Sequence, residues 1–433
     1  MRECLLYIDP GTGSMLFTIL ISIVGFLIYF FRIFWIKIKF IISRGKMDKI
    51  DSNKIPVLIF AEAKRYWSVF EPICRELNER GIDVAYWTTS PDDPALSQKR
   101  YEHVKASFIG EGNKAFAKLN VVNASVLVSS TPGLEVYQWK RSKFVDCYVH
   151  VLHASSEIAG YRMFGTDYYD ALLLSGQYQI DDVRELEKLR KLPAKEVELV
   201  GIPYMDEMKK KISPNKNKSG RRTVLLAPSW GANSIFNKYG TAVIEELLKC
   251  DCDIIVRPHP QSFISDADMM KELMAKYPDR YGFKWDLSSD NFESLNAADI
   301  MISDFSGIIF DFSLVFDKPI IYADTEFNTD CYDFYCLSHQ PWTLTVLPKL
   351  GMKLSNGNLG ELDQMIDKCL TDESFKDGRD EVRTETWAHM GEGAKRTADF
   401  IVRKYESIKN EKAQRDQESV KGSKKMCDSL SAS

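Results

Sequence analysis

Apolar positions fall into three regimes along the chain. Residues 15–31 form one uncharged apolar run, close to the shortest length that spans a bilayer as a helix. From Ile55 onward, short apolar runs alternate with amphipathic stretches, the pattern of parallel strands covered by helices. The spacing predicts strands over 55–61, 83–87, 124–128, 148–152 and 171–174, with helices over 68–80 and 178–191. Residues 213–222 are polar, with Pro, Asn, Lys and Gly, and read as a linker. The pattern then restarts, predicting strands over 223–227, 253–256, 299–302 and 318–322. Past Lys409 the chain turns charged and Ser-rich, the composition of a disordered tail.

This divides the chain into a terminal segment with a membrane anchor (1–47), two α/β lobes (55–212 and 220–408) and a tail (409–433). Arg32, Lys37, Lys39, Arg44 and Lys46 follow the apolar run, while only Arg2 precedes it. The positive-inside rule therefore expects a single-pass protein of the cell membrane with both lobes cytoplasmic. A cleaved signal peptide would need the charges first and a small-residue cleavage site, and neither is present.

At 433 residues and 45% hydrophobic, the chain has material for two cores. A net charge of −4 argues against a nucleic-acid partner bound through a broad basic surface, so an anionic ligand must meet local donors. Nine dispersed cysteines without a C-x-x-C pair give no zinc or redox motif. Asp251-Cys252-Asp253 has the D-x-D spacing of metal-dependent sugar transferases, but it opens a strand, at the end away from a cleft. No metal site and no cofactor are called for.

Open α/β sheets bind ligands beyond the carboxyl ends of their strands, and three such ends carry chemistry. After strand 299–302, Ser303-Asp304-Phe305-Ser306-Gly307 leads into an apolar helix. Hydroxyls, a helix start and a glycine together make an anion cradle, although a capping serine with an Asp satisfying loop amides has the same spelling. After strand 253–256, Arg257-Pro258-His259-Pro260 projects a guanidinium and an imidazole from a proline-stiffened turn. After strand 148–152, His153 stands where a base belongs, while His150 lies within the strand. Ser229, Trp230, Asp304, Ser130 and Thr131 are further candidates to line the cleft, and Asp311 and Asp317 read as anchors between helix and loop.

Taken in order, Gly201-Ile202-Pro203, Leu226-Ala227-Pro228-Ser229-Trp230, Arg257-Pro258-His259-Pro260, 303–312 and Lys318-Pro319-Ile320-Ile321-Tyr322 resemble the CDP-glycerol glycerophosphotransferase family, the teichoic-acid primases and polymerases. The resemblance implies two Rossmann-like lobes of GT-B type and transfer of an alcohol phosphate, with release of CMP, to a lipid-linked or polymer acceptor. It assigns His153 as base for the acceptor hydroxyl, a protonated His259 as the catalytic group that faces the donor diphosphate and stabilises charge on the leaving phosphate, and Arg257, Ser303, Ser306 and Gly307 to the donor phosphates. The chain departs from the family's W-H-G at Leu152-His153-Ala154, has Gly231 after the A-P-[TS]-W turn, and has Gly307 for the second Ser of S-D-x-S-S. Two other functions fit a two-lobed cleft: a nucleotide-sugar glycosyltransferase, and a membrane-bound relative that binds without turnover.

Overall fold

The computed structural model describes residues 54–212, 220–288, 290–326 and 329–430, with 416–430 as backbone. The apolar run 15–31 and the rest of segment 1–47 lie outside the described residues, as does most of the linker. Among the described residues no helix is long and apolar enough to cross a membrane.

Seven parallel strands form the first sheet: β1 (Ile55–Ala61), β2 (Val84–Thr88), β3 (Val104–Phe108), β4 (Ala124–Ser129), β5 (Val145–Val151), β6 (Ala171–Leu174) and β7 (Glu196–Leu199), in the order β3-β2-β1-β4-β5-β6-β7. Six more form the second: β8 (Arg222–Leu226), β9 (Cys252–Val256), β10 (Phe283–Trp285), β11 (Ile300–Ser303), β12 (Ile320–Ala323) and β13 (Gly351–Leu354), in the order β10-β9-β8-β11-β12-β13. Each sheet has a single switch point, between β1 and β4 and between β8 and β11. The crevice over the carboxyl ends there is the natural ligand site of such sheets.

The central strands are buried on both faces, as parallel strands between helix layers must be. In β1 the period of two sends Val57, Ile59 and Ala61 into one core and Leu58 and Phe60 into the other. β8 repeats the device, with Val224 and Leu226 opposite Leu225.

Two boundaries differ from the sequence reading. The charged tail expected from 409 is helical: one helix runs from Gly393 to Leu430. Its residues are strong helix formers, its start is nucleated by packing, and Lys412 reaches Asp146 of the first lobe. The same helix does not belong to the second lobe, where 393–408 were expected. Ala398, Phe400 and Ile401 are buried in the core of the first lobe, with Val69, Phe70 and Ile73. The chain thus crosses between lobes twice.

Asp206 fastens the second crossing. Its carboxylate accepts from Trp387 Nε1 (2.9 Å), Gly391 N (2.6 Å) and Gly393 N (2.9 Å). Beside it Gly201 has φ +95°, and a Cβ there would lie 2.4 Å from the Ala388 carbonyl oxygen. The Gly201-Ile202-Pro203 motif is therefore the seat on which the returning chain rests.

Candidate active site

At the switch point of the second sheet lies a cavity of about 310 Å³ lined by Ala227, Pro228, Arg257, His259, Ser306, Gly307 and Asp311, among others. Three strand ends build it: β8 supplies the Pro228 turn, β9 the Arg257–His259 turn and β11 the Ser306-Gly307 helix start. Gly307 has ordinary helical φ, and a Cβ would meet nothing within 4 Å. Neither strain nor packing requires glycine, and its absent side chain leaves the helix start open to a ligand.

Ser303, expected to hold phosphate, and Asp304, a candidate to line the cleft, do other work. The Ser303 side chain is fully buried and its Oγ donates to the Ala227 carbonyl at 2.6 Å, pinning β11 to β8. Asp304 is also buried and accepts from Ser229 N (3.0 Å) and Ile235 N (3.0 Å). Burial raises its carboxyl above the usual range, and these N–H groups pull the other way. The pair shapes the cradle from behind, while Ser306 and Gly307 face it.

The Arg257 guanidinium is already engaged. It pairs with Asp286 at 2.5 Å and donates to Ser288 Oγ and to the Ser288 carbonyl. His259 Nδ1 accepts the Gln261 N–H at 3.1 Å, so the ring carries its proton on Nε2. Burial, then the charge of Arg65, lowers its pKa. His259 is thus a neutral N–H donor, whereas a protonated ring was expected. Trp230 is exposed, its ring 6.3 Å from that of His259. Ser229 is buried in the loop that Asp304 holds.

Asp311 was read as an anchor, yet it lines the cavity. Burial pushes its carboxyl up to about 7, opposed by the hydrogen bond from Tyr204 Oη at 2.6 Å. Asp317 does act as an anchor, pairing with Arg379 (3.0 Å) and Arg383 (2.8 Å). The Asp251-Cys252-Asp253 stretch lies at the amino end of β9, where both carboxylates meet Arg221.

On the first lobe, His153 leaves the carboxyl end of β5. Its ring lies edge-on to Tyr66, centroids 5.1 Å apart, and its Nδ1 is buried with no hydrogen-bond partner among the described residues. Burial, then the Arg65 charge, lowers it to about 4, with the Ser130 carbonyl pulling the other way. His150 is fully buried against Tyr161 and Tyr169, a core histidine. Ser130 and Thr131, just after β4, are buried, and the Ser130 backbone reaches His153. Sequence reasoning passed over Arg65, which stands on the turn after β1 and whose field reaches both His153 and His259.

A smaller cavity of about 180 Å³ joins the lobes on the far side of Gly307. It is lined by Ser156, Glu157 and Gly160 from the first lobe, and by Phe305, Phe310 and Thr343 from the second. Glu157 bridges the lobes, accepting from Thr343 N and from Thr343 Oγ1 at 2.8 Å.

Residues 167–335, which include Arg257, His259, Ser306 and Gly307, match the family model described as CDP-Glycerol:Poly(glycerophosphate) glycerophosphotransferase. Over these residues the chain resembles that family of transferases. His153 lies outside the matched stretch. No curated protein matches the chain in sequence. Among solved structures, the wall teichoic acid polymerase TagF superposes with a TM-score of 0.54 at 16% identity, over 88% of this chain and 98% of that one. A TagF variant with CDPG gives 0.55 at 15%, over 87% and 98%. A UDP-GlcNAc 2-epimerase from Neisseria meningitidis bound to UDP-GlcNAc gives 0.53 at 11%, over 80% and 99%. At these identities the likeness is one of fold: two parallel-sheet α/β lobes of GT-B type.

Proposed function

We propose that the chain transfers an alcohol phosphate, glycerol phosphate or a close relative, from a CDP-activated donor to the hydroxyl of a lipid-linked or polymer acceptor, releasing CMP. One observation carries this reading. His259, Ser306 and Gly307 line one cavity at the switch point of the second sheet, within the stretch that matches the family model.

The donor diphosphate rests on the second lobe, against the helix start at Gly307, Ser306 and the Nε2–H of His259. The acceptor oxygen bonds to the phosphorus bearing the alcohol, and the bond from that phosphorus to the CMP oxygen breaks. His153, neutral at pH 7, takes the acceptor proton, and CMP leaves with the electron pair. His259 donates a hydrogen bond to the oxygen on which charge grows.

The apolar run 15–31 and the cations after it support a membrane anchor with both lobes on the cytoplasmic side, which keeps the cleft near a lipid-linked acceptor. Deleting residues 1–47 is expected to move the chain from the membrane to the soluble fraction. Fractionation of cells expressing each form checks this.

The function is tested by nucleotide release from the full chain offered CDP-glycerol, CDP-ribitol, UDP-sugars or GDP-sugars with a membrane-lipid extract. CMP release supports the proposal, whereas UDP or GDP release would move the chain to the sugar transferases. Donor binding without turnover would identify a binding protein, a reading favoured by the departures from the family pattern at Leu152 and Ala154.

Asp311 predicts a pH dependence. The protonated carboxyl is neutral beside the donor diphosphate, and the carboxylate repels it. Affinity for CDP-glycerol, whose diphosphate charge is constant over this range, is expected to fall as pH rises through about 7. The drop should be roughly threefold to tenfold between pH 6 and 8, and absent in Asp311→Asn. Calorimetric titration at several pH values measures it, and equal slopes in both proteins would refute the assignment.

A further inference from the structure

Two arginines stand at the cleft, and they differ in what surrounds them. Arg257 has Asp286 at 2.5 Å and two contacts to Ser288, so its charge is matched within the protein. Arg65 is exposed, and among the described residues no carboxylate pairs with it. Its guanidinium lies 4.9 Å from the centroid of the Tyr66 ring and donates to Tyr66 Oη at 3.1 Å. Tyr66 in turn packs edge-on against His153. A cation held by an aromatic ring, beside the candidate base, is an oriented donor fork suited to an anion.

Its place in the fold fits an anionic ligand. Arg65 follows β1, the strand at the switch point of the first sheet, so it faces the crevice from the lobe opposite the nucleotide. The donor's nucleoside side belongs to the second lobe, and the transferred phosphoryl group must project toward His153.

We propose that Arg65 binds the non-bridging oxygens of the transferred phosphoryl group and holds it in line between the acceptor hydroxyl and the departing CMP. This rests on the CDP-alcohol reading above and adds a residue to it. The arrangement also couples donor to base. Burial first, and the Arg65 charge second, hold His153 at about 4. Phosphoryl oxygens paired with Arg65 cancel that field, so His153 becomes a stronger base when the donor is in place.

The test compares the full chain with Arg65→Ala and Arg65→Lys. For CMP release from CDP-glycerol, Arg65→Ala is expected to lower kcat/KM by roughly 10²- to 10³-fold, with Arg65→Lys recovering part of the loss. Affinity for CMP alone should stay within about twofold, because CMP rests on the other lobe. By NMR, CDP-glycerol should raise the His153 midpoint in the wild type and leave it unmoved in Arg65→Ala. The side chain is exposed, so melting temperatures should match. A kcat/KM within threefold of wild type overturns the proposal, as does a loss of CMP affinity as large as the loss of kcat/KM. If the wild type releases no CMP, the functional reading fails and Arg65 is judged by titrating inorganic pyrophosphate against the His153 signal. A shift confined to proteins with Arg65 supports the anion site, and no shift rejects it.

Discussion

Replacing His153 with alanine is expected to lower kcat for CMP release by roughly 10²- to 10⁴-fold, the range for losing a positioned general base. The donor KM should change little, since the proposal rests most of the donor's contacts on residues 257–307 of the other lobe and none on His153. The pH profile sharpens the test. A base must be unprotonated to act, so kcat/KM in the wild type should rise with pH through about 4 and then level off toward neutral pH. Above pH 7 it should decline again as Asp311 ionises. Steady-state rates from pH 4 to 8.5 for both proteins decide the matter. If His153→Ala retains a tenth or more of wild-type kcat, proton transfer to His153 is not part of the mechanism.

Asp304→Ala has the largest expected effect on the fold. Removing the carboxylate strands the buried N–H groups of Ser229 and Ile235, both held at about 3.0 Å. Each such loss costs roughly 1–3 kcal/mol, so about 3 kcal/mol of stability should go. The turn after β8 would then be free to move into the cavity, and donor binding should weaken at least tenfold. Asp304→Asn keeps one acceptor oxygen and is expected to lose about half as much stability. Denaturant unfolding and CDP-glycerol titration of both variants measure this. Stability within 1 kcal/mol of wild type in Asp304→Ala would show that the loop is held by other means.

How far the sequence showed this site depends on how local each determinant is. The central strands were legible because burial on both faces writes them as unbroken apolar runs. Edge strands β3 and β10 were not, since Val104–Phe108 is exposed along one side and carries Lys105. The motif 303–307 located the cavity but not the division of labour within it. A serine bound to phosphate and a serine bound to the Ala227 carbonyl are spelled alike, and only the adjacency of β8 and β11 separates them. Arg65 is one arginine in an unremarkable Lys-Arg-Tyr turn, and its meaning comes from Tyr66 and the two histidines, far away along the chain. The reading of Asp311 failed for the converse reason, because nothing local tells which side of a helix start faces a cavity. Charge density misled at the C-terminus, where helix formers packed against a distant lobe outweigh a composition suited to disorder.

The returning helix has a consequence for biosynthesis. Ala398, Phe400 and Ile401 complete the core built around β1 and the helix Trp67–Glu79, which are among the first residues of this core to be made. At about 5–20 residues per second, a ribosome needs some tens of seconds to reach them from β1. Until then Phe70, Ile73 and Leu77 lack their final cover. The lobe synthesised first is therefore finished last, and a chain stopped anywhere before residue 398 leaves the ribosome with an open apolar face for chaperones to recognise.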